Sequence, residues 1–436
     1  MEHIIWNREM ECADRETKNA IQLTRLKNAV ERCYERVPFY RKKFDEIGLR
    51  PEHIRTLEDV RHLPFTTADD LKENYPFGMF AVPKKEVVRL HGSSGTTGKP
   101  KIEGYTRQDI ENWAEIMARV ISAAGGTADD IVQISFGYGL FTGGFGLHYG
   151  MEKIGAMVVP LSSGNTDRQI MLMQDLGSTI LISTPSYALY LADEMEKKGI
   201  DKSTIKLRLA LFGGEGHTEE MRAKIEKQLG ILATENYGLS EIGGPGYSGE
   251  CYLKQGLHIA EDQFISEIVD PDTLEPLPMG EKGELVITPL VREAFPVLRY
   301  RTRDITWLND EPCRCGRTSM RMAKVQGRTD DMMVIRGVNV FPSQIESVIM
   351  SMKEIEPFYE IIVTTEEYLD RIEVRVEFSD ASLLDDYNKL EGLRNRIRHN
   401  LKSVLGIDAK VTLVTPGTLP RFEGKAKRVI DRRDHK

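Results

Sequence analysis

Cysteine is scarce in this 436-residue chain: Cys12, Cys33, Cys251, Cys313 and Cys315 make five. The set is odd and sparse, and a chain this long buries a sizeable core without staples, so disulfides are not needed for stability. Positive charge is not in excess either. The 59 Lys+Arg against 67 Asp+Glu leave a formal net charge of -8, which argues against a general binder of nucleic acid or anionic membrane. A long apolar run is also missing. The most apolar window, IVQISFGYGLFTGGFGL (131–147), is broken by glycines and carries Gln133, Ser135 and Thr142; it reads as a strand plus a Gly-rich loop, not a membrane span. The N-terminal MEHIIWNREMECADRE is charged throughout and lacks the apolar stretch of a signal peptide. Hydrophobic residues at 40% and charged residues at 29% exclude disordered and collagen-like chains. The expectation is a soluble, cytoplasmic protein with reduced thiols, with no nucleic-acid and no membrane partner.

What is present is an alternation of strand and helix signals. Ile21, Leu26, Val30, Cys33 and Val37 form a helical stripe that ends at Pro38. Thr106 caps a helix with the apolar face Ile110, Trp113, Met117, Val120 and Ile121, stopped by Gly125 and Gly126. Short buried strands are expected at 131–136, 156–161, 179–183 and 207–212. A helix with Pro185 in its first turn follows the third, and one capped by Thr218 follows the fourth. Strands alternating with helices imply parallel α/β layers. After residue 250 the style becomes β-rich, as in GELVIT (283–288). Beyond 328 the pattern predicts strand 332–336, helix 343–352, strands 358–365 and 372–378, helix 387–404 and strand 409–414, a β-α-β-β-α-β order. The expected fold class is α/β. A large multi-subdomain body, 1–328, has parallel β/α layers and a β-rich part at 250–328, and a small α+β lid spans 329–436.

Two Gly-rich stretches compete as phosphate sites. Ser93-Ser94-Gly95-Thr96-Thr97-Gly98-Lys99 is dense in small hydroxyl residues and glycines whose N–H groups can approach phosphate oxygens, with Lys99 adding charge. It fails the Walker template, because five residues separate Gly92 from Gly98 and Pro100 follows Lys99. Gly244-Pro245-Gly246-Tyr247-Ser248-Gly249 matches G-x-G-x-x-G literally, but no strand clearly precedes it and no helix follows, so it reads as a chance match in a turn-rich stretch.

The first loop resembles the signature of the adenylate-forming ligase superfamily, and further motifs follow in order. Asn236-Tyr237-Gly238-Leu239-Ser240-Glu241 is similar to that family's adenine and magnesium motif, and Tyr300-Arg301-Thr302-Arg303-Asp304 to its ribose-binding motif. Gly327-Arg328-Thr329-Asp330-Asp331 resembles its hinge, and Gly424-Lys425 its C-terminal catalytic lysine. The segments VPFYRKKFDEIG (37–48), LPFTTADDLKENYPFG (63–78), GLHIAEDQFISEIVDP (256–271), RGVNVFPSQIE (336–346) and LPRFEGKAKRVID (419–431) are similar to the branch that joins aryl acids to coenzyme A. Two positions depart from the pattern. Gly213-Gly214-Glu215-Gly216 stands where Gly-Ala-Glu-Pro is usual, and Lys101 stands where a smaller residue is common.

The resemblance implies ATP, Mg²⁺ and coenzyme A as cofactors and an aryl acid, phenylacetate or a similar one, as substrate. Lys425 would stabilise charge at the α-phosphate; its setting is basic, with seven Lys/Arg and three Asp/Glu in residues 416–436. Glu241 would hold Mg²⁺, and Ser240 would lie near the α-phosphate. Asp304, joined by Arg328, would take the ribose hydroxyls, and Tyr237, Asn236, Gly238 and the Gly214–Glu215 turn would flank the base. Phe136, Tyr138 and Phe141 would wall the acyl pocket. Asp330 would be the hinge, with Arg336 and Gly337 facing pantetheine. Cys251, His258, Cys313 and Cys315 compose a Cys₃His set, a common structural Zn²⁺ composition, whereas Cys12 and Cys33 read as packing residues. A homodimer is also implied. Two alternatives stay open: transfer of the acyl group to a carrier protein or an amine, and a non-catalytic nucleotide-binding regulator.

Overall fold

The computed structural model describes residues 4–92, 101–331, 333–336, 338–366, 369–380, 386–422 and 426–433. Two compact units emerge. One comprises Met1–Ser183, Asp201–Gly214 and Ile231–Val325; the other comprises Thr184–Ile200, Glu215–Gly230 and Gln326–Lys436. Two mid-chain segments thus group with the C-terminal residues, and the division 1–328 and 329–436 stands as a proposal about which parts move together.

The first unit opens with α1 (Arg8–Glu11), α2 (Arg15–Arg36), α3 (Pro38–Glu46) and α4 (Ala68–Glu73). Leu26, Val30 and Cys33 of α2 are buried, the stripe ends before Pro38 as expected, and Pro38 then opens α3. Next come β1 (Arg89–Gly92) and β2 (Ile102–Tyr105), an antiparallel ribbon, and then α5 (Arg107–Ala124). The start of α5 is set by a reciprocal cap: Asp109 N–H donates to Thr106 Oγ1 (3.0 Å) and Thr106 N–H donates to Asp109 Oδ2 (2.9 Å). Left-handed Gly125 ends it.

Strands β3 (Ile131–Ile134), β4 (Met157–Val159), β5 (Ile180–Ser183), β6 (Leu209–Phe212) and β7 (Leu232–Leu239) pair in parallel in the order β4-β3-β5-β6-β7. Helices α6 (Gly143–Ile154) and α7 (Thr166–Leu176) belong to the same unit. The sheet continues antiparallel through β8 (Gly244–Glu250) and β9 (Leu257–Ile259), with β13 (Leu308–Asn309) and β14 (Arg321–Met322) beyond. Strands β10 (Phe264–Val269), β11 (Gly283–Pro289) and β12 (Tyr300–Thr306) pair antiparallel as the β-rich part.

Two readings of this region need correction. The window 131–147 is a strand, a loop and then a helix from Gly143. A Cβ on Gly146 would lie 2.5 Å from the Trp113 indole, so glycine lets the α6 backbone press onto α5. The 244–249 stretch is not turn-rich: it is β8, and a strand, β7, precedes it.

The second unit contains α8 (Pro185–Lys197) and α9 (Glu219–Leu229), capped by Thr184 and Thr218. It also holds β15 (Gly327–Arg328), β16 (Met333–Ile335), β17 (Val338–Val340), α10 (Pro342–Met350), β18 (Ile355–Glu366), β19 (Leu369–Phe378), α11 (Tyr387–Leu405), β20 (Lys410–Val414) and β21 (Val429–Asp431). Its sheet runs β20-β19-β18-β21 over a core that includes Ile345, Val348, Ile361, Val374, Leu393, Ile397 and Leu401. The expected first strand of the β-α-β-β-α-β order is absent from that sheet: β16 pairs with β17 in a separate hairpin. The edge is taken instead by β21, which pairs parallel to β18.

Among the described residues no helix is long and apolar enough to cross a membrane.

Candidate active site

The C-terminal end of β7 and the turn after it carry most of the expected nucleotide residues. Asn236 Nδ2 donates to the Phe212 carbonyl (2.8 Å), tying the ends of β6 and β7 together. Gly238 runs so close to β8 that a Cβ there would sit 2.1 Å from the Gly244 carbonyl oxygen. On β12 the burial alternates, so Tyr300, Thr302 and Asp304 share one buried face. That alternation carries the Asp304 carboxylate to Tyr237, whose hydroxyl donates to Oδ2. Arg301 turns the other way and pairs with buried Glu284 (2.7 Å), a structural role.

Ser240 and Glu241 occupy a short turn, Ser240–Ile242, and both are buried. Ser240 Oγ lies 3.1 Å from Thr142 Oγ1, and Glu241 Oε1 accepts from the Lys101 ammonium. The positive charge opposite the expected magnesium residue therefore comes from a position at which the sequence departs from its family pattern. Close by, β1 and β2 place Arg89 opposite Tyr105 and His91 opposite Glu103, so all four side chains belong to one face of the ribbon. His91 Nδ1–H donates to the Leu140 carbonyl (3.1 Å). Burial, reinforced by the Arg89 and Arg292 charges, pulls its imidazole down to about 4.

The acyl-pocket residues follow β3. Phe136 is buried, and its ring centroid is 6.4 Å from that of Phe141, which is 37% exposed. Tyr138 stands edge-on to Phe145 (5.1 Å), and its hydroxyl meets His148 Nδ1 at 3.1 Å. Burial pushes that phenol up from its ordinary range.

In the second unit, Glu215 accepts from Ser186 N–H (2.7 Å) through Oε1 and from Ala426 N–H (2.9 Å) through Oε2. The carboxylate is thus tied by two backbone donors, one of them next to the expected lysine, instead of being open to a base. Left-handed Gly214 precedes it in the chain. Arg328 makes a two-point pair with Asp330 (2.8 and 2.9 Å), so two residues expected to act separately neutralise each other. Arg336 Nε donates to the Asp370 carbonyl (3.0 Å). The expected phosphate loop, Ser93, Ser94, Gly95, Thr96, Thr97, Gly98 and Lys99, lies outside the described residues, as do Gly337 and Lys425.

The four thiol and imidazole groups converge. The ligand atoms of Cys251, His258, Cys313 and Cys315 all lie within 4.8 Å of one another. Cys251 Sγ is 3.9 Å from Cys313 Sγ, and Cys315 Sγ is 3.5 Å from His258 Nε2. Tetrahedral ligands at about 2.3 Å for sulfur and about 2.0 Å for nitrogen would be separated by roughly these spans. Ser319 Oγ sits 3.0 Å from His258 Nδ1, which leaves Nε2 for the cluster. Hydrogen bonds from Cys251 and His258 hold the Cys315 thiol well below its ordinary range. Cys33 is buried as expected, whereas Cys12 is half-exposed and donates to the Gly316 carbonyl (3.3 Å).

Sequence reasoning missed His91, Glu103, Thr142 and Arg292. The sole signal in the sequence was an acidic residue, Glu103, in an otherwise apolar strand.

The turn of Ser240 and Glu241 and the Tyr237–Asp304 pair lie on a parallel sheet continued by antiparallel strands, and the chain belongs to the AMP-binding enzyme family. It matches that family over residues 40–289 and the AMP-binding enzyme C-terminal domain over residues 337–433. More particularly, it is 48% identical over 444 residues to the phenylacetate-coenzyme A ligase of Thermus thermophilus, covering 99% of this chain and 100% of that protein. Identity to the phenylacetate-coenzyme A ligase of Escherichia coli is 47% over 427 residues, covering 98% and 97%. Among solved structures, 2-hydroxyisobutyryl-CoA ligase in the postadenylation state with R3-HIB-AMP is similar at a TM-score of 0.91 and 29% identity, covering 97% of this chain and 91% of that one.

Proposed function

We propose that this chain is an AMP-forming ligase that activates an aryl acid, phenylacetate or a close analogue, and passes the acyl group to coenzyme A. The observation that carries this reading is the 48% identity to a phenylacetate-coenzyme A ligase over 99% of the chain. In the first half-reaction a carboxylate oxygen attacks the α-phosphorus of ATP and pyrophosphate leaves. In the second, the thiol sulfur attacks the acyl carbonyl, AMP leaves and the thiol proton passes to solvent. Both partners of the first step are anions, so the site must supply cations.

Asp304 orients the ribose by accepting from its hydroxyls, with Tyr237 exchanging its bond to that carboxylate for contact with the base. Ser240 donates toward the α-phosphate, and the 93–99 loop holds the outer phosphates. Lys425 neutralises charge as the adenylate forms, and Arg336 lies beside the pantetheine path. Phe136, Tyr138 and Phe141 give the acid an aromatic wall, where each edge or offset contact adds about 0.5–1.5 kcal/mol. Mg²⁺ fits Glu241, a buried carboxylate, and when bound it would screen the phosphate charges. Zn²⁺ fits the Cys251–His258–Cys313–Cys315 set, where four protein ligands leave no open position and imply a structural role. A homodimer and a cytoplasmic location with reduced thiols complete the reading.

Purified protein with phenylacetate, MgATP and coenzyme A should yield AMP, pyrophosphate and phenylacetyl-CoA in equal amounts. Acid-dependent AMP release without a free-CoA thioester would shift the reading to a carrier-protein or amine acceptor. No acid-dependent pyrophosphate release across an aryl-acid panel would sink it.

A further inference from the structure

Residues 4–13 are fastened along the loop that supplies two of the four thiol–imidazole groups, Cys313 and Cys315. Thr318 N–H donates to the Glu11 carbonyl (3.0 Å), and Thr318 Oγ1 to the Ala13 carbonyl (2.6 Å). Cys12 Sγ reaches the Gly316 carbonyl of the same loop. Arg317 does more than fasten. It is 2% exposed, and its guanidinium serves three groups at once. Nε donates to Glu11 Oε2 (2.5 Å), Nη2 donates to the Ile4 carbonyl (3.2 Å), and Nη1 lies 3.8 Å from Cys315 Sγ. The second oxygen of Glu11, Oε1, accepts from the Asn7 N–H (2.8 Å). The segment has another anchor on α5, where Trp6 Nε1 and Asn7 Nδ2 donate to the Glu115 carboxylate (3.1 and 2.9 Å).

Charge accounts for an arginine at this place. A Zn²⁺ ion with three thiolates and a neutral imidazole carries one net negative charge, and Cys251, Cys313 and His258 are buried. A buried charge without a counter-charge is costly, and the Arg317 guanidinium brings a positive one to the sulfur. Metal binding also ties the 313–315 turn to Cys251 and His258, and so fixes the loop on which residues 4–13 rest. We propose that Arg317 is a positioning residue for this cluster, and that metal binding and the seating of residues 4–13 form one linked equilibrium. Linkage is reciprocal, so each event strengthens the other by the same factor. The inference rests on the reading of the cluster as a zinc site. It adds a residue beyond the four ligands, and the segment that residue holds.

Both sides of the linkage are measured on the full chain without turnover. Zn²⁺ affinity is read by competition with a chromogenic chelator for wild type, Arg317→Met, Arg317→Lys and Glu11→Gln. Amide hydrogen exchange of residues 4–13 is followed with and without Zn²⁺, with helix α11 of the second unit as the internal reference. Arg317→Met and Glu11→Gln should each weaken Zn²⁺ binding at least about fivefold, and Arg317→Lys, which keeps the charge, should lose less than Arg317→Met. In wild type, removing Zn²⁺ should speed exchange at residues 4–13 at least about fivefold and leave α11 unchanged. If wild type binds Zn²⁺ but Arg317→Met and Glu11→Gln both stay within about twofold of it, the inference is overturned and the zinc reading survives. Exchange at residues 4–13 that ignores Zn²⁺ overturns it too, even where affinity falls. If wild type binds no Zn²⁺, the zinc reading falls and the inference with it. Should the Arg317 variants fail to fold, the wild-type exchange comparison decides.

Discussion

Asp304, the residue proposed to take the ribose, is fixed before any ligand arrives. Its carboxylate accepts from Tyr237, and its backbone N–H donates to Thr302 Oγ1 (3.0 Å), so its position is held from two sides. Asp304→Ala should raise the KM for ATP at least about tenfold while the KM for the acid changes little; an equal rise in both would mean that the residue only supports the fold. His91 makes a pH prediction. Its native pKa is drawn down to about 4, below the ordinary value of about 6.5. Between those values the unfolded chain binds a proton that the native protein refuses. Stability is therefore full above about pH 6.5 and falls as pH drops toward 4, by on the order of 3 kcal/mol in total. Denaturant midpoints at pH 7 and pH 5 should diverge for wild type and converge for His91→Gln; identical differences in the two proteins would exclude His91 as the cause.

Elements differ in how much they could be read in advance. Helix α5 was legible end to end, because its cap, stripe and stop are local: Thr106 with Asp109, Trp113 to Ile121, then Gly125. Helix α6 was not, since its glycines look like a loop until the Trp113 indole is known to press on Gly146. Strand β21 escaped because three residues in a basic tail have no period of their own, and only the β18 edge makes them a strand. The site divides the same way. Ordered motifs could be read along the chain, but the pairing of Tyr237 with Asp304 spans 67 positions, and the His91–Glu103 juxtaposition depends on the register between β1 and β2. The thiol–imidazole cluster links segments that lie far apart in the chain, near β8, on β9 and at 313–315. Stripping metal with a strong chelator should release about one zinc per chain and lower the melting temperature by several degrees, and Cys313→Ser should do the same. Less than about half an equivalent of zinc, with freely titratable thiols, would count against the site.

At the scale of the whole molecule, two chemical steps must share one set of ligands. Lys425→Ala should abolish adenylate formation yet largely spare thioester formation from preformed acyl-AMP, each half-reaction being assayed separately. Equal loss in both would end the assignment of the lysine to the first step. Strand β21 bears on a different property of the molecule. Its residues Val429–Asp431 cover the outer edge of β18, whose Ile361, Ile362 and Val363 they pair. An uncovered strand edge is a template for another chain. Protein ending before Val429 would present that edge to its neighbours, so it should form soluble oligomers or precipitate at concentrations where the full chain does not, as light scattering would record. Residues 429–431 thus shield the β18 edge from pairing with another chain.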